Sequence, residues 1–384
     1  MDYRDYSFKD SISREVLNNY LSRAVTHACL LDAHEGSVAT FEDDLGMLTR
    51  EGAKFIGRAA YVWGVVDDAE HFGSCRERAA LCHRADPELM LQCCVFECVY
   101  RVFCENTPIP RWVFEAFGQP FEGRCFSMDK MCFPDGRFLN LWGNETTVPN
   151  IMTLEGQMWI YYRACMYIAC GCEAIHFGQV WLIGALDPGW AMWRKVVGMV
   201  REYAATHARR GYVVCDAHCH GLICADGYSV LDFNSFPLRL REIEDQPMKC
   251  RLEEGYLDSL FNRSRGGLHP SGWKADPLPF LVEYDNFGVS DTPGKATPDS
   301  HYAWGYDEIT WFALQPAAYR AEFLRYADVW VNERYPEGWV QMPSKRILAG
   351  AGNMRLYFAN SPSENCPGGF GDEAVIRDIW HGRG

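Results

Sequence analysis

The chain has 384 residues, 48% hydrophobic and 23% charged, which is a globular balance sized for one large barrel with insertions or for two ordinary domains. Thirty-seven basic against 51 acidic residues leave a net charge of −14. With no basic run to offset it, that charge excludes nucleic acid and anionic membranes as partners, and it suits a neutral or cationic substrate better than a polyphosphate.

Seventeen cysteines, an odd number without any Cys-x-x-Cys pair, argue against a disulfide scaffold, a zinc ribbon or a thioredoxin-like motif. Many lie inside apolar runs, as Cys93, Cys94, Cys165 and Cys215 do, and read as buried reduced thiols. The start, Met1-Asp2-Tyr3-Arg4-Asp5, lacks the apolar core of a signal peptide. No run approaches the roughly 18 apolar residues of a membrane span. A reducing cytoplasm is the expected location. Asn144-Glu145-Thr146 and Asn262-Arg263-Ser264 match glycosylation acceptors, tripeptides that are common by chance.

Residues 1–22 read as a helical lead-in. Ala24 to Leu31 is the first expected strand, ending at Asp32-Ala33-His34. Thr40-Phe41-Glu42-Asp43 has a capping-box pattern and opens a helix that Gly52 ends. Lys54 to Tyr61 is strand two, 67–84 a helix with acids early and His83 and Arg84 late, and Leu89 to Phe96 strand three. A Gly-, Pro- and aromatic-rich insertion covers 102–152. Helix is expected over 153–170 and 187–209, with strand four at 173–178 and strand five at 212–216. Strand six is placed at 229–233, after the turn pair Asp226-Gly227, and a helix at 252–262. Strand seven is 279–284, followed by a second long loop at 286–312 and a helix at about 315–333. Gly338 to Met342 is strand eight, and a C-terminal extension over 353–384 follows, whose residues 353–358 are an additional strand or the true eighth. Eight strands with intervening helices, no repeat and no linker point to one (β/α)8 TIM barrel spanning 1–384, of fold class α/β. An open doubly wound sheet is the rival, and no glycine fingerprint follows any strand to support it.

The strands end in residues able to do chemistry, and a (β/α)8 barrel builds its active site at those ends. Glu283 closes strand seven, followed by Asp285 and Asn286. Glu97 closes strand three among apolar neighbours, where burial favours a general acid. Asp216, His218 and His220 alternate after strand five and point to one side if extended. His176 and Gln179 end strand four, and Asp232 and Asn234 strand six. Asp32 and His34 are weaker candidates of the same kind. Trp63, Trp142, Trp273, Trp304 and Trp311 fall in loops or near strand ends, where flat aromatic faces suit sugar rings. Glu308 lies within reach of the mouth.

These strand ends, the aromatic loops and Trp112-Val113-Phe114-Glu115-Ala116-Phe117-Gly118 resemble (β/α)8-barrel glycoside hydrolases in outline over residues 24–342. The resemblance implies hydrolysis of a carbohydrate or glycoconjugate by two carboxyl groups, on a small-molecule or oligosaccharide substrate. The large glycosidase clan with this barrel has a strand-seven glutamate, matched by Glu283. It also carries an Asn-Glu pair after strand four, where this chain has Gly178-Gln179. Glu283 is then the nucleophile or base, and Glu97, Asp216 or Asp232 the acid, without a cofactor. His176 and His218 hold sugar hydroxyls, beside Gln179, Asp232, Asn234, Asp285, Asn286, Trp63, Trp304 and Glu308. Two other readings remain. His176, Asp216, His218 and His220, with Asp232 and Glu283, offer ligands for Zn²⁺ or Mn²⁺ in a metal-dependent hydrolase or sugar isomerase. A non-catalytic sugar-binding barrel shares the aromatic cleft.

Overall fold

The computed structural model describes residues 4–32 and 37–382; His34 lies outside them. Eight parallel strands form the barrel: β1 (Ala24–His27), β2 (Phe55–Ala60), β3 (Met90–Cys94), β4 (Ala174–His176), β5 (Val214–Asp216), β6 (Asn234–Pro237), β7 (Phe280–Glu283) and β8 (Gly338–Ile347). They hydrogen-bond in the order β5-β4-β3-β2-β1-β8-β7-β6. A parallel bridge between His218 and Ser235 joins β5 to β6 and closes the ring. All residues of β1, β2, β3, β4, β5 and β7 are buried, which accounts for their continuous apolar runs.

Helices α1 (Arg14–Leu21), α2 (Ser37–Glu51), α3 (Asp68–Ala85), α4 (Leu154–Cys170), α5 (Ala191–His207), α6 (Ala317–Arg334) and α7 (Glu373–Gly382) account for most of the remaining regular structure. Helix α1 buries Val16, Leu17, Tyr20 and Leu21 among the apolar side chains at the strand starts. On α4, Arg163 is buried with an ion pair to Asp68 (2.5 Å). The rings of Phe72, Phe103, Trp159 and Tyr167 surround its guanidinium at 4.6–5.7 Å. Every cysteine is free, and all but Cys125 and Cys132 are buried. Among the described residues, no helix is long and apolar enough to cross a membrane.

Three expectations need correction. Strand six begins at Asn234 rather than ending at 233, because the Asp232 carboxylate accepts the Cys215 N–H (2.7 Å) and turns the buried run 229–233 past β5. No helix forms over 252–262. Leu257 and Asn262 take left-handed backbone conformations, and Arg263 donates to the Leu257 and Gly255 carbonyls that a helix needs. Two short hairpins, Arg241–Glu242 with Cys250–Arg251 and Gly267–Leu268 with Lys274–Ala275, occupy the β6–β7 connection instead. The eighth strand runs on to Ile347, and Leu356–Phe358 pairs antiparallel with its far end as an additional strand.

The ladder between β2 and β3 is irregular after Ile56, and Arg58 has a φ of 57°. A bulge re-aims a side chain. Here it lies beside the cation that dominates the barrel mouth.

Candidate active site

A cavity of about 630 Å³ opens at the C-terminal ends of the strands. That volume is typical of a small-molecule site, roughly 300–1,000 Å³. Its walls include Glu97 after β3, Gln179 after β4, His218 after β5, Asp285 and Asn286 after β7, and Arg346 near the end of β8. Trp63, Trp142 and Phe96 form an aromatic side, with the Trp63 ring 5.4 Å from each of the other two. Trp63 is 42% exposed, an unusual state for a large ring beside a cavity.

Glu97 is 3% exposed. Both its oxygens accept from Gln179, Oε2 from the backbone N–H and Oε1 from Nε2, each at 3.0 Å. Among the described residues it makes no ion pair. Gly178 has a φ of 59°, and a Cβ there would collide with Glu97 Oε2. The Gly178-Gln179 step is therefore shaped around this carboxyl group.

Glu283 lies at the floor, buried, with both oxygens engaged. Oε2 accepts from Thr26 Oγ1 (3.2 Å), Arg58 Nε (3.1 Å) and Arg346 Nη1 (2.8 Å). Oε1 meets Arg58 Nη2 and His218 Nε2, the latter at 2.8 Å. Burial alone raises a carboxyl pKa, but the Arg58 and Arg346 guanidiniums and His218 overcome it and hold Glu283 well below its ordinary value.

Asp285 is arranged differently. Its Oδ1 takes Arg58 Nη2 (3.2 Å), Arg346 Nη2 (3.1 Å) and the Asn286 N–H (2.8 Å). Among the described residues, the hydrogen bonds of this side chain all run through Oδ1, and Asp285 lines the cavity. Asn286 Oδ1 accepts from Arg346 Nη2 at 2.5 Å. Strands β3 and β7 stand four places apart either way around the ring, so Glu97 and Asp285 face each other across the mouth.

His176 and Asp216 lie beneath the floor. His176 Nδ1 is 2.7 Å from Asp216 Oδ2, which also accepts from Ser235 Oγ (2.7 Å), while Asp216 Oδ1 takes Gln92 Nε2 (2.6 Å). Burial lowers the His176 pKa against the pull of Asp216. The rings of His176 and His218 meet edge to face, 4.7 Å apart.

Other sequence candidates lie elsewhere. Asp232 sits beside β5 and α5, bonded to Arg201 and Tyr212, and His269 lies 3.2 Å away. Burial opposes its ionisation, but these partners keep its pKa low. Asn234 starts β6, and its amide donates to the carbonyls of His220 and Arg265. His220 turns to the Asp258 carbonyl (2.8 Å). Trp304 is buried, with its indole N–H on the Lys249 carbonyl (2.9 Å). Glu308 is fully buried and accepts backbone N–H groups of Leu238, Arg239 and Asp285, so it braces the ends of β6 and β7 from outside the mouth. The structure adds Arg58, Arg346 and Asp307 to the site. Arg58 carries a signal in the sequence: it is the one cation within the apolar run Phe55–Tyr61.

Burial pushes Glu308 up to about 8 and Asp307 up to about 6, against hydrogen bonds that oppose the rise. A carboxyl raised on folding stabilises the protein fully below its unfolded pKa, and that share is lost as pH rises through the folded value. Between roughly pH 4 and pH 8, stability is therefore expected to fall with pH through Glu308. Urea midpoints at pH 5 and pH 8 check this: the wild type is expected to decline more than Glu308→Gln. Parallel declines would contradict it.

His218, Glu283 and Asp285 present ligand atoms within 4.8 Å of one another, the geometry of a cation site. The donor set is a poor fit to Zn²⁺ or Mn²⁺, because the Arg58 and Arg346 guanidiniums engage both Glu283 oxygens and Asp285 Oδ1 and place two positive charges beside the site. The set His176, Asp216, His218 and His220 does not converge either, since His220 faces Asp258.

No family model matches the chain, and no curated protein does. Solved structures with a related outline include an acarbose-soaked debranching enzyme from Nostoc punctiforme, 10% identical, covering 95% of this chain and 82% of that one with a TM-score of 0.49. A GH27 β-L-arabinopyranosidase variant from Geobacillus stearothermophilus is 8% identical, with 95% and 78% covered and a TM-score of 0.41. An isomalto-dextranase from Arthrobacter globiformis T6 is 11% identical, with 74% and 50% covered and a TM-score of 0.40. Against the native form of the debranching enzyme, the chain spans about half of the neighbour's length (49%). The fold of this chain rests on its own strand order and register: it is a (β/α)8 barrel.

Proposed function

We propose that this barrel hydrolyses a glycosidic bond, with Glu97 as proton donor and Asp285 as the second carboxylate. One observation carries the reading: Asp285 lines the cavity and is clamped by three donors through Oδ1 alone, on the strand opposite that of Glu97. A nucleophile or base needs a fixed position and one unshared oxygen. Glu283 has no such oxygen, and its role here is to hold Arg58 and Arg346 in place. Glu97 gives its proton to the leaving oxygen as the glycosidic C–O bond breaks. Asp285 either attacks the anomeric carbon or takes a proton from the attacking water, and water supplies the new hydroxyl. The Trp63, Trp142 and Phe96 wall offers apolar faces for a sugar ring.

A panel of p-nitrophenyl glycosides, with reducing-end release from polysaccharides, tests the reading. Hydrolysis of at least one substrate by the wild type is expected, with kcat lowered roughly 10²–10⁴-fold in Glu97→Gln. No hydrolysis across the panel, or an unchanged rate in the variant, would overturn it.

Gly178→Ala follows from the same geometry. The added methyl collides with Glu97 Oε2 at a residue with positive φ. A displacement near 1 Å at a catalytic group costs roughly 10²-fold in rate. That loss is expected in kcat, while far-UV circular dichroism stays at wild-type values.

A further inference from the structure

Resting on the glycosidase reading, we infer that His218 reads one sugar hydroxyl through Nδ1, with the ring fixed by the contact of Nε2 to Glu283. The place of one ring proton follows from the partners. Glu283 is held ionised by two guanidiniums and can only accept. Its Oε1 lies 2.8 Å from His218 Nε2, so that nitrogen carries the proton. Arg58 Nη2, 3.2 Å from the same nitrogen, is itself a donor and places its hydrogens on Glu283 and Asp285. Nδ1 is then the ring's one polar atom not committed to Glu283. Among the described residues, the side-chain hydrogen bonds of His218 all run through Nε2, and His218 lines the cavity.

The ring is also held from its faces. His176 packs edge to face at 4.7 Å, and Phe236 lies 6.1 Å away. His176 is itself fixed by Asp216, which accepts from Gln92 and Ser235. The buried polar network beneath the floor thus orients the ring of His218, just after β5 and beside Asp285. A site built to hydrogen-bond a hydroxyl rejects the analogue that lacks it far more strongly than an apolar pocket rejects a missing methylene. The substrate class is therefore narrowed to sugars with a free hydroxyl at the position facing His218.

The test compares p-nitrophenyl hexopyranosides with each of their monodeoxy counterparts, in wild type and in His218→Gln. Glutamine keeps an N–H where Nε2 stands, so the Glu283 contact survives, and it removes Nδ1. In the wild type, kcat/KM is expected to fall at least roughly 100-fold for one monodeoxy position. In His218→Gln that ratio is expected to collapse toward one. A merely structural role for His218 lowers all substrates by a common factor and leaves the ratio intact, which overturns the inference while the hydrolase reading stands. Quenching of tryptophan fluorescence by the same glycosides separates the remaining cases. Discrimination in binding without any hydrolysis supports the His218 role and overturns the hydrolase reading. Neither hydrolysis nor quenching overturns both.

Discussion

Replacing Asp285 with asparagine is expected to lower kcat on the best glycoside by roughly 10²–10⁴-fold, with KM changed far less. Asparagine keeps an oxygen that can still accept from Arg58, Arg346 and the Asn286 N–H, so the clamp on Oδ1 is largely preserved. What disappears is the carboxylate charge. A group that acts only in the transition state lowers kcat and kcat/KM together when it is removed. Loss of a binding contact alone raises KM instead. Steady-state kinetics on wild type and variant therefore distinguish the two roles. A variant that retains more than a tenth of wild-type kcat would remove Asp285 from the mechanism and return the second carboxyl role to another residue.

The same comparison on Glu283→Gln reads differently. Glu283 does not itself line the cavity, and each of its oxygens is already bonded to residues around it. A fall in activity there arises through displaced arginines and His218. The distinction matters because a strand-end glutamate is the more obvious candidate in the sequence. Position along a strand is legible from apolar periodicity, but the direction and partners of a side chain are not. Glu283 and Asp285 lie two residues apart and pair with the same two guanidiniums, and the sequence does not separate the acid bonded through both oxygens from the one bonded through Oδ1 alone. The guanidiniums come from β2 and β8, more than 200 residues and about 60 residues away along the chain.

Strands were legible where both faces are buried, as in Phe55–Ala60 and Phe280–Glu283. Strand six was misplaced for a physical reason. Val230-Leu231-Asp232-Phe233 is as apolar and buried as a barrel strand, yet its one carboxylate takes the Cys215 N–H and bends the run away from ladder pairing. Everything inferred from its end, Asp232 and Asn234 included, moved away from the mouth with it. The missed helix over 252–262 has a similar cause: backbone partners supplied from afar, such as the Tyr326 hydroxyl on the Leu252 N–H, compete with helical hydrogen bonds. Glu97 was legible because a lone acid in the apolar run after strand three has few other uses. Arg58 had the same signal with the opposite charge.

Glu283→Gln is expected to cost about 3–5 kcal/mol of folding stability near neutral pH, the penalty for breaking a buried ion pair from one side. Glutamine fills the same volume, so no cavity contributes. The cost arises because Arg58 and Arg346, 8% and 1% exposed, lose their shared counter-charge and retain only Asp285. The sign of the pH dependence follows from the depressed pKa. A carboxyl lowered on folding contributes stability above its unfolded pKa, and that contribution is lost as pH falls through the folded value. The gap between wild type and variant is therefore widest above roughly pH 5 and narrows on acidification, as the carboxyl of the unfolded wild-type chain begins to take up a proton while the folded one stays ionised. Urea unfolding followed by tryptophan fluorescence at pH 7 and at pH 4 measures both parts. A gap under about 1 kcal/mol at pH 7, the range of an exposed pair, would mean that solvent reaches these arginines. The floor would then be too loose to fix the His218 ring or the Asp285 carboxylate, and both assignments would fall with it.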